Sequence, residues 1–167
     1  MLDKAYILAG KATFTIRLGQ HSLKDAKSHY TFRVKHKPAS LLYQNKEVYF
    51  VSMLTGPDNT RSYSYVGCLD PQTGFTRLTA KSKFKEDSVP VVIIRRVLDR
   101  IWKNEGHVIA GVGWEVMHNG FCGRCGRVLT HPESIQTGIG PECSKYLGIG
   151  RVAETITTPN DEEMEWE

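Results

Sequence analysis

The sequence predicts an α+β fold, an antiparallel sheet packed by one helix, followed by a small cysteine-bearing module and an acidic tail. Three observations predict it. Short segments between residues 12 and 78 alternate apolar and polar residues with the period of a half-buried strand. Between residues 91 and 102 the apolar residues move to helical spacing. Beyond residue 113 the chain is punctuated by Cys122, Cys125 and Cys143, with glycines between them.

The strands read in order. Ala12, Phe14, Ile16 and Leu18 point to one side of the first, and Thr13, Thr15 and Arg17 to the other. Residues 30–35 repeat the pattern, with Thr31, Arg33 and Lys35 facing out. Residues 47–54 read as a more buried strand, closed by a turn cluster at 54–59. Residues 61–67 alternate again and set Tyr63 and Tyr65 on one face, and a short strand at 75–78 follows the turn at 70–74. In the helix, Val91, Ile94, Val97, Leu98, Ile101 and Trp102 form the apolar stripe, while Arg95, Arg96, Asp99, Arg100 and Lys103 fill the other side. Ser88 is the expected N-cap, Pro90 fits the first turn and Gly106 is the expected stop. A strand at 113–117 leads into the cysteine segment. The expected division is a sheet-plus-helix domain at 1–112, a module at 113–150 and an acidic disordered tail at 151–167.

Composition limits the function classes. At 40% hydrophobic residues the chain can bury an ordinary core, and no apolar run approaches the ~20 residues that span a bilayer. The opening residues are too mixed for a signal peptide, so a cytoplasmic setting is expected. The net charge of +4 is unevenly spread. Residues 154–167 hold six acids and no Lys or Arg, leaving 22 bases against 12 acids in residues 1–153, a net +10. A basic body with an acidic tail suits a protein that meets polyanions, since the tail can occupy the basic surface until a stronger polyanion displaces it.

A reducing compartment favours thiolate ligands over disulfides. Cys122 and Cys125 form a C-x2-C knuckle in which Gly123 and Gly126 allow a tight backbone turn, and seventeen residues separate Cys125 from Cys143. With three residues between His118 and the knuckle, the set is H-x3-C-x2-C-x17-C. His118, Cys122, Cys125 and Cys143 are thus the expected ligands of one structural Zn2+, with His131 the alternative to His118. Four protein ligands leave no open position for a catalytic water. Thr130 to Glu133 matches a capping box, predicting a short helix that stops at Gly138, and a second helical turn carries Cys143 near its start. A knuckle followed by a ligand at a helix start suggests a treble-clef or zinc-ribbon-like module.

The segment from His118 to Cys143, above all Cys122-Gly-Arg-Cys125-Gly-Arg127, Leu129-Thr130, Pro132-Glu-Ser-Ile135 and Gly138-Ile-Gly-Pro-Glu-Cys143, resembles an uncharacterised zinc-finger-like family of bacteriophage and prophage proteins. The turn at 54–59 and the strand at 63–67 resemble the β-rich part that often precedes this module in phage proteins. The resemblance implies a viral accessory protein acting in a host cytoplasm, and names no activity.

Arg124 and Arg127 beside the knuckle, Arg17, Arg33 and Lys35 on outward strand positions, and Lys81 and Lys83 are the expected phosphate contacts. Tyr63 and Tyr65 are either a base-stacking platform or core, and Cys68 is expected to be an inert thiol. No phosphate-binding glycine loop, H-E-x-x-H or G-x-S-x-G is present, so a non-enzymatic role is expected. Two functions fit. The first is binding of nucleic acid, single-stranded DNA or RNA above all. The second is inhibition or adaptation of a host protein such as a nuclease, polymerase or defence complex, with Trp166 in the tail as anchor.

Overall fold

The computed structural model describes residues 2–19, 27–103 and 114–148. The expected boundary at 112/113, the stop at Gly106, and the acidic tail with Trp166 lie outside these residues.

The alternating segments pair as one six-stranded antiparallel sheet. Its strands are β1 (Lys11–Leu18), β2 (His29–Ser40), β3 (Lys46–Leu54), β4 (Tyr63–Leu69), β5 (Thr76–Arg77) and β6 (Trp114–His118). Their spatial order is β5-β4-β3-β2-β1-β6, so the first five form a meander and the last strand returns to lie beside the first. Residue parity sets the faces. Ala12, Phe14 and Ile16 of β1 and Tyr30, Phe32 and Val34 of β2 are buried, as are Tyr49, Val51 and Met53 of β3. β3, expected to be the more buried strand, therefore alternates like its neighbours and turns Phe50 and Ser52 outward. A register shift between Val51 and Ser52 keeps Val66 and Leu69 of β4 in the core while Tyr63, Tyr65 and Cys68 remain half-exposed.

The helix predicted from the apolar stripe is α2 (Val89–Trp102), and it contributes Val91, Ile93, Ile94, Val97, Leu98 and Ile101 to the same core. Ser88 occupies the N-cap without capping, because its hydroxyl donates to Lys85 O at 2.6 Å. Arg95 Nε donates to Thr76 O at 2.9 Å and Trp102 Nε1 to Pro71 O at 3.1 Å, which fix the helix along the β4–β5 end. No helix among the described residues is long and apolar enough to cross a membrane.

A one-turn helix near the start, α1 (Lys4–Ile7), has no counterpart in the sequence reading. Asp3 caps it by accepting from the Tyr6 N–H at 3.0 Å. Its purpose is the placement of Tyr6, which is fully buried. The phenol donates to Thr13 O at 2.7 Å and accepts from Thr13 N–H at 3.1 Å. Burial pushes the Tyr6 hydroxyl up to about 12, so it remains a donor. The cysteine module closes over the ring. A Cβ on Gly138 would lie 2.5 Å from it and one on Gly123 2.7 Å, so only glycine fits at either position. Gly138 also has φ +75, as the C-cap of a helix requires.

Two variants probe this junction. Tyr6→Phe leaves the Thr13 N–H without its partner and the Thr13 carbonyl with Asn119 N–H alone, and is expected to lower the unfolding free energy by about 1–3 kcal/mol. Gly138→Ala combines a left-handed backbone with a collision against Tyr6 and is expected to cost at least about 1–3 kcal/mol. Urea unfolding reads both, and wild-type midpoints would remove the junction from any structural role.

Candidate metal centre and basic face

The knuckle is held to the end of the sheet by backbone bonds. After β6 leaves β1, Asn119 N–H donates to Thr13 O at 3.3 Å and Lys11 N–H to Gly123 O at 2.6 Å. Phe121 pairs with Val128 in an isolated bridge, and Cys122 N–H donates to Arg127 O at 2.7 Å. Across the loop, Gly123 N–H donates to Gly138 O at 2.9 Å. The two short helices follow as predicted, α3 (Pro132–Thr137) ending at Gly138 and α4 (Pro141–Tyr146) carrying Cys143 in its first turn. The N-cap of α3 is His131, one residue beyond Thr130, so the expected capping box does not form.

This folding brings the sulfurs of Cys122, Cys125 and Cys143 within 4.8 Å of one another. Thiolates around a tetrahedral ion sit roughly 3.8 Å apart when each metal–sulfur bond is about 2.3 Å, so the three are close enough to hold a metal ion. The backbone prepares them for it. Burial alone would push the Cys122 thiol up, but the N–H groups of Cys125, Gly140 and Arg124 and the Cys125 side chain outweigh it and bring it down to about 7. The Gly140 bond measures 3.3 Å. Cys143 is raised, chiefly by burial, although Arg124 Nη1 donates to its sulfur at 3.6 Å. All three are free thiols, and Cys125 alone is exposed.

His118 is not in this group. Its Nδ1 accepts from Gly120 N–H at 2.9 Å, and its Nε2 donates to the carbonyl oxygen of Ile135. The ring lies 6.0 Å from that of Tyr6 and fastens α3 to β6 instead. The sequence spacing indicated an imidazole near the knuckle, and the strand end then turned it away.

The expected phosphate contacts separate into four groups, the last of which, Lys81 and Lys83, lies by the aromatic face described below. Arg17 pairs with Glu115 across β1 and β6. Arg124 is occupied at the metal centre, its guanidinium stacked 4.0 Å over Tyr146 as well as bonded to Cys143, while Arg127 lines the same cavity. Arg33 and Lys35 stay on the outward face, and the structure adds Lys11 and Lys37, which the sequence reading missed. The signal was available, since both extend by one step the parity that set Thr13, Arg33 and Lys35 outward. Register places Lys11 directly across from Lys35, and Lys35 across from Phe50. The charges of Arg33, then burial, then Lys37 and Lys11 depress the Lys35 ammonium below its ordinary value. Among the described residues Lys11, Lys35 and Lys37 form no ion pair.

The β3–β4 half of the same face is aromatic. Phe50 meets Tyr65 edge-on at 5.9 Å and Tyr43 at 5.8 Å, and Tyr63 carries the Arg33 guanidinium 3.9 Å above its ring. A cavity of about 760 Å³ opens here, lined in part by Tyr43, Phe50, Tyr65, Arg77 and Lys81. Lys83 is exposed beside it and bonds through its backbone to Tyr65 O. Cys68 lies within this face, its sulfur 3.3 Å from the Tyr65 hydroxyl.

Fold and site together define an α+β protein with a three-cysteine candidate metal centre built onto one edge of its sheet. Residues 115–148 match the model of a family of unknown function (DUF6011), which covers β6, the knuckle and both short helices. Comparison with curated proteins and with solved structures gives no match.

Because the module shares the Tyr6 junction with the sheet, chelation is expected to loosen more than the module. Amide exchange should accelerate across residues 114–148 and at Thr13, while β2–β4 keep their protection. Cys122→Ser and Cys143→Ser should reproduce this pattern, and unchanged exchange after chelation would separate the cysteines from any metal.

Proposed function

We propose that this chain is a non-enzymatic accessory protein of bacteriophage type that binds single-stranded nucleic acid on the outward face of its sheet, with a structural zinc ion stapling the module at its edge. One observation carries the reading. The face opposite the described helices has a cationic half (Lys11, Arg33, Lys35, Lys37) and a half-exposed aromatic half (Phe50, Tyr63, Tyr65), with Lys11, Lys35 and Phe50 in one cross-strand row and Arg33, Ser52 and Tyr65 in another. Like charges directly opposite one another on neighbouring strands destabilise a sheet, so uncompensated Lys11 and Lys35 suit a polyanion that neutralises both. Aromatic faces beside the cations suit bases, and only an unpaired strand presents its base faces for stacking. Zinc fits the centre because thiolate-rich sets select it among available divalent ions and it brings no redox chemistry. A knuckle followed by Cys143 at a helix start supports a treble-clef-like description of the module.

Fluorescence anisotropy with a labelled single-stranded oligonucleotide tests the reading. Affinity is expected to fall steeply with salt, and Lys11→Gln and Lys35→Gln each to weaken binding and to reduce the slope of log affinity against log salt by about 1. Phe50→Ala and Tyr65→Ala should weaken it by about 1–3 kcal/mol with the slope retained. Negligible binding at low salt, or equal affinity for duplex, rejects the reading and leaves the host-protein partner in its place.

The six acids of residues 154–167 should compete with nucleic acid for the cationic half. Deleting them is expected to tighten binding at low salt, with the difference fading as salt screens both contacts. Equal affinity with and without the tail at low salt would dissociate it from this face.

A further inference from the structure

The three sulfurs line a cavity of about 560 Å³ whose wall also includes Arg124, Leu129, His131, Ser134 and Glu142. A tetrahedral ion held by three thiolates has one position left to fill. We propose that His131 fills it, so that the ligand set is Cys122, Cys125, Cys143 and His131, and His118 is a positioning residue for the module. The inference rests on the metal reading given above.

Elimination supports the assignment. With Nδ1 accepting from Gly120 N–H and Nε2 donating to Ile135 O, His118 has no lone pair left for an ion. Glu142 is highly exposed and has Lys145 at 3.7 Å, and a carboxylate is a harder donor than an imidazole beside thiolates. The hydroxyl of Ser134 is a poor ligand unless deprotonated. The imidazole of His131, by contrast, has no hydrogen bond, ion pair or ring contact among the described residues.

The backbone around His131 is nonetheless fixed. Its carbonyl accepts from Ile135 N–H at 2.9 Å, Pro132 begins the helix behind it, and Leu129 and Ser134 on either side are buried. It stands at the N-cap of α3 in extended conformation and makes no capping bond, so the ring is committed to nothing in the helix. The imidazole lies outside the group of sulfurs. Closing on the ion therefore calls for rotation about the side-chain bonds of His131. Such a residue, rigid in its backbone and free in its ring, costs little to recruit.

The test uses the full chain loaded with Zn2+ or Co2+ as probes. Elemental analysis first establishes one metal per chain in the wild type, and clearly less than one refutes the metal reading itself. The cobalt form then reports the ligand set through its ligand-field bands. His131→Ala is expected to shift those bands and weaken zinc retention in chelator competition by at least about tenfold, and His131→Cys to restore retention with a four-thiolate spectrum. His118→Ala should lower the unfolding midpoint while leaving the cobalt spectrum unchanged. A stoichiometric wild type whose spectrum and retention survive His131→Ala and His131→Gln overturns the assignment, as does a spectrum that changes with His118 alone.

Discussion

The buried phenol of Tyr6 is the contact on which the arrangement of the rest depends. β6 covers the outer edge of β1 only from Phe14 to Leu18, which leaves the Thr13 N–H unpaired and its carbonyl with only the 3.3 Å bond from Asn119 N–H. An unpaired buried amide or carbonyl costs about 1–3 kcal/mol, and Tyr6 satisfies both with one hydroxyl. The ring above that hydroxyl leaves room only for backbone, and Gly123 and Gly138 provide it from the two sides of the metal centre. Cys122 and Gly140, flanking those glycines, are brought together by the same closure, with the Gly140 N–H on the Cys122 sulfur. The position of the thiolates therefore follows from how an N-terminal turn fills the open end of a sheet.

The two faces of that sheet obey different constraints. The inner face is closed by α1 and α2 and excludes water from an apolar cluster that continues into Cys122, Leu129, Ile139 and Cys143. Among the described residues no helix lies against the outer face, so its side chains answer to solvent and charge. There Lys11 faces Lys35 across neighbouring strands, about 4.8 Å apart, with Arg33 and Lys37 two residues to either side along β2, and the charge of Arg33 above all, with burial, Lys37 and Lys11, depresses Lys35. Aromatic residues in the same rows are only half-covered, by one another and by Arg33. A face with unpaired cations at one side and partly wet rings at the other is poorly matched to water alone.

Arginine near the knuckle illustrates how local sequence misleads. A tight turn projects Arg124 from a rigid base, which reads as a solvent-facing contact for phosphate. In the folded chain the same rigidity aims it at Cys143 and Tyr146 of α4, where the guanidinium donates to the sulfur and stacks on the phenol ring, clamping the helix. Arg17 follows the same logic, since the return of β6 puts Glu115 beside it. Both become structural through partners distant in sequence, and the cationic surface moves to Lys11, Arg33, Lys35 and Lys37.

By itself the sequence determined the features that short-range periodicity encodes. Period-two alternation located the strands and most of their inward residues, the 3.6-residue stripe located α2, and the C-x2-C knuckle with Cys143 located the cluster. These depend on steric and solvation preferences within a few residues, so they are legible without a partner. Tertiary structure decided the rest because each item depends on a distant neighbour. The return of β6 to β1, the role of Tyr6, the outward exposure of Phe50, Tyr63 and Tyr65, and the diversion of His118 to Ile135 all follow from which surfaces meet. Spacing favours His118 over His131 as the fourth ligand. The packed chain separates them differently, by engaging both nitrogens of the first and leaving the ring of the second uncommitted in the wall of the sulfur-lined cavity.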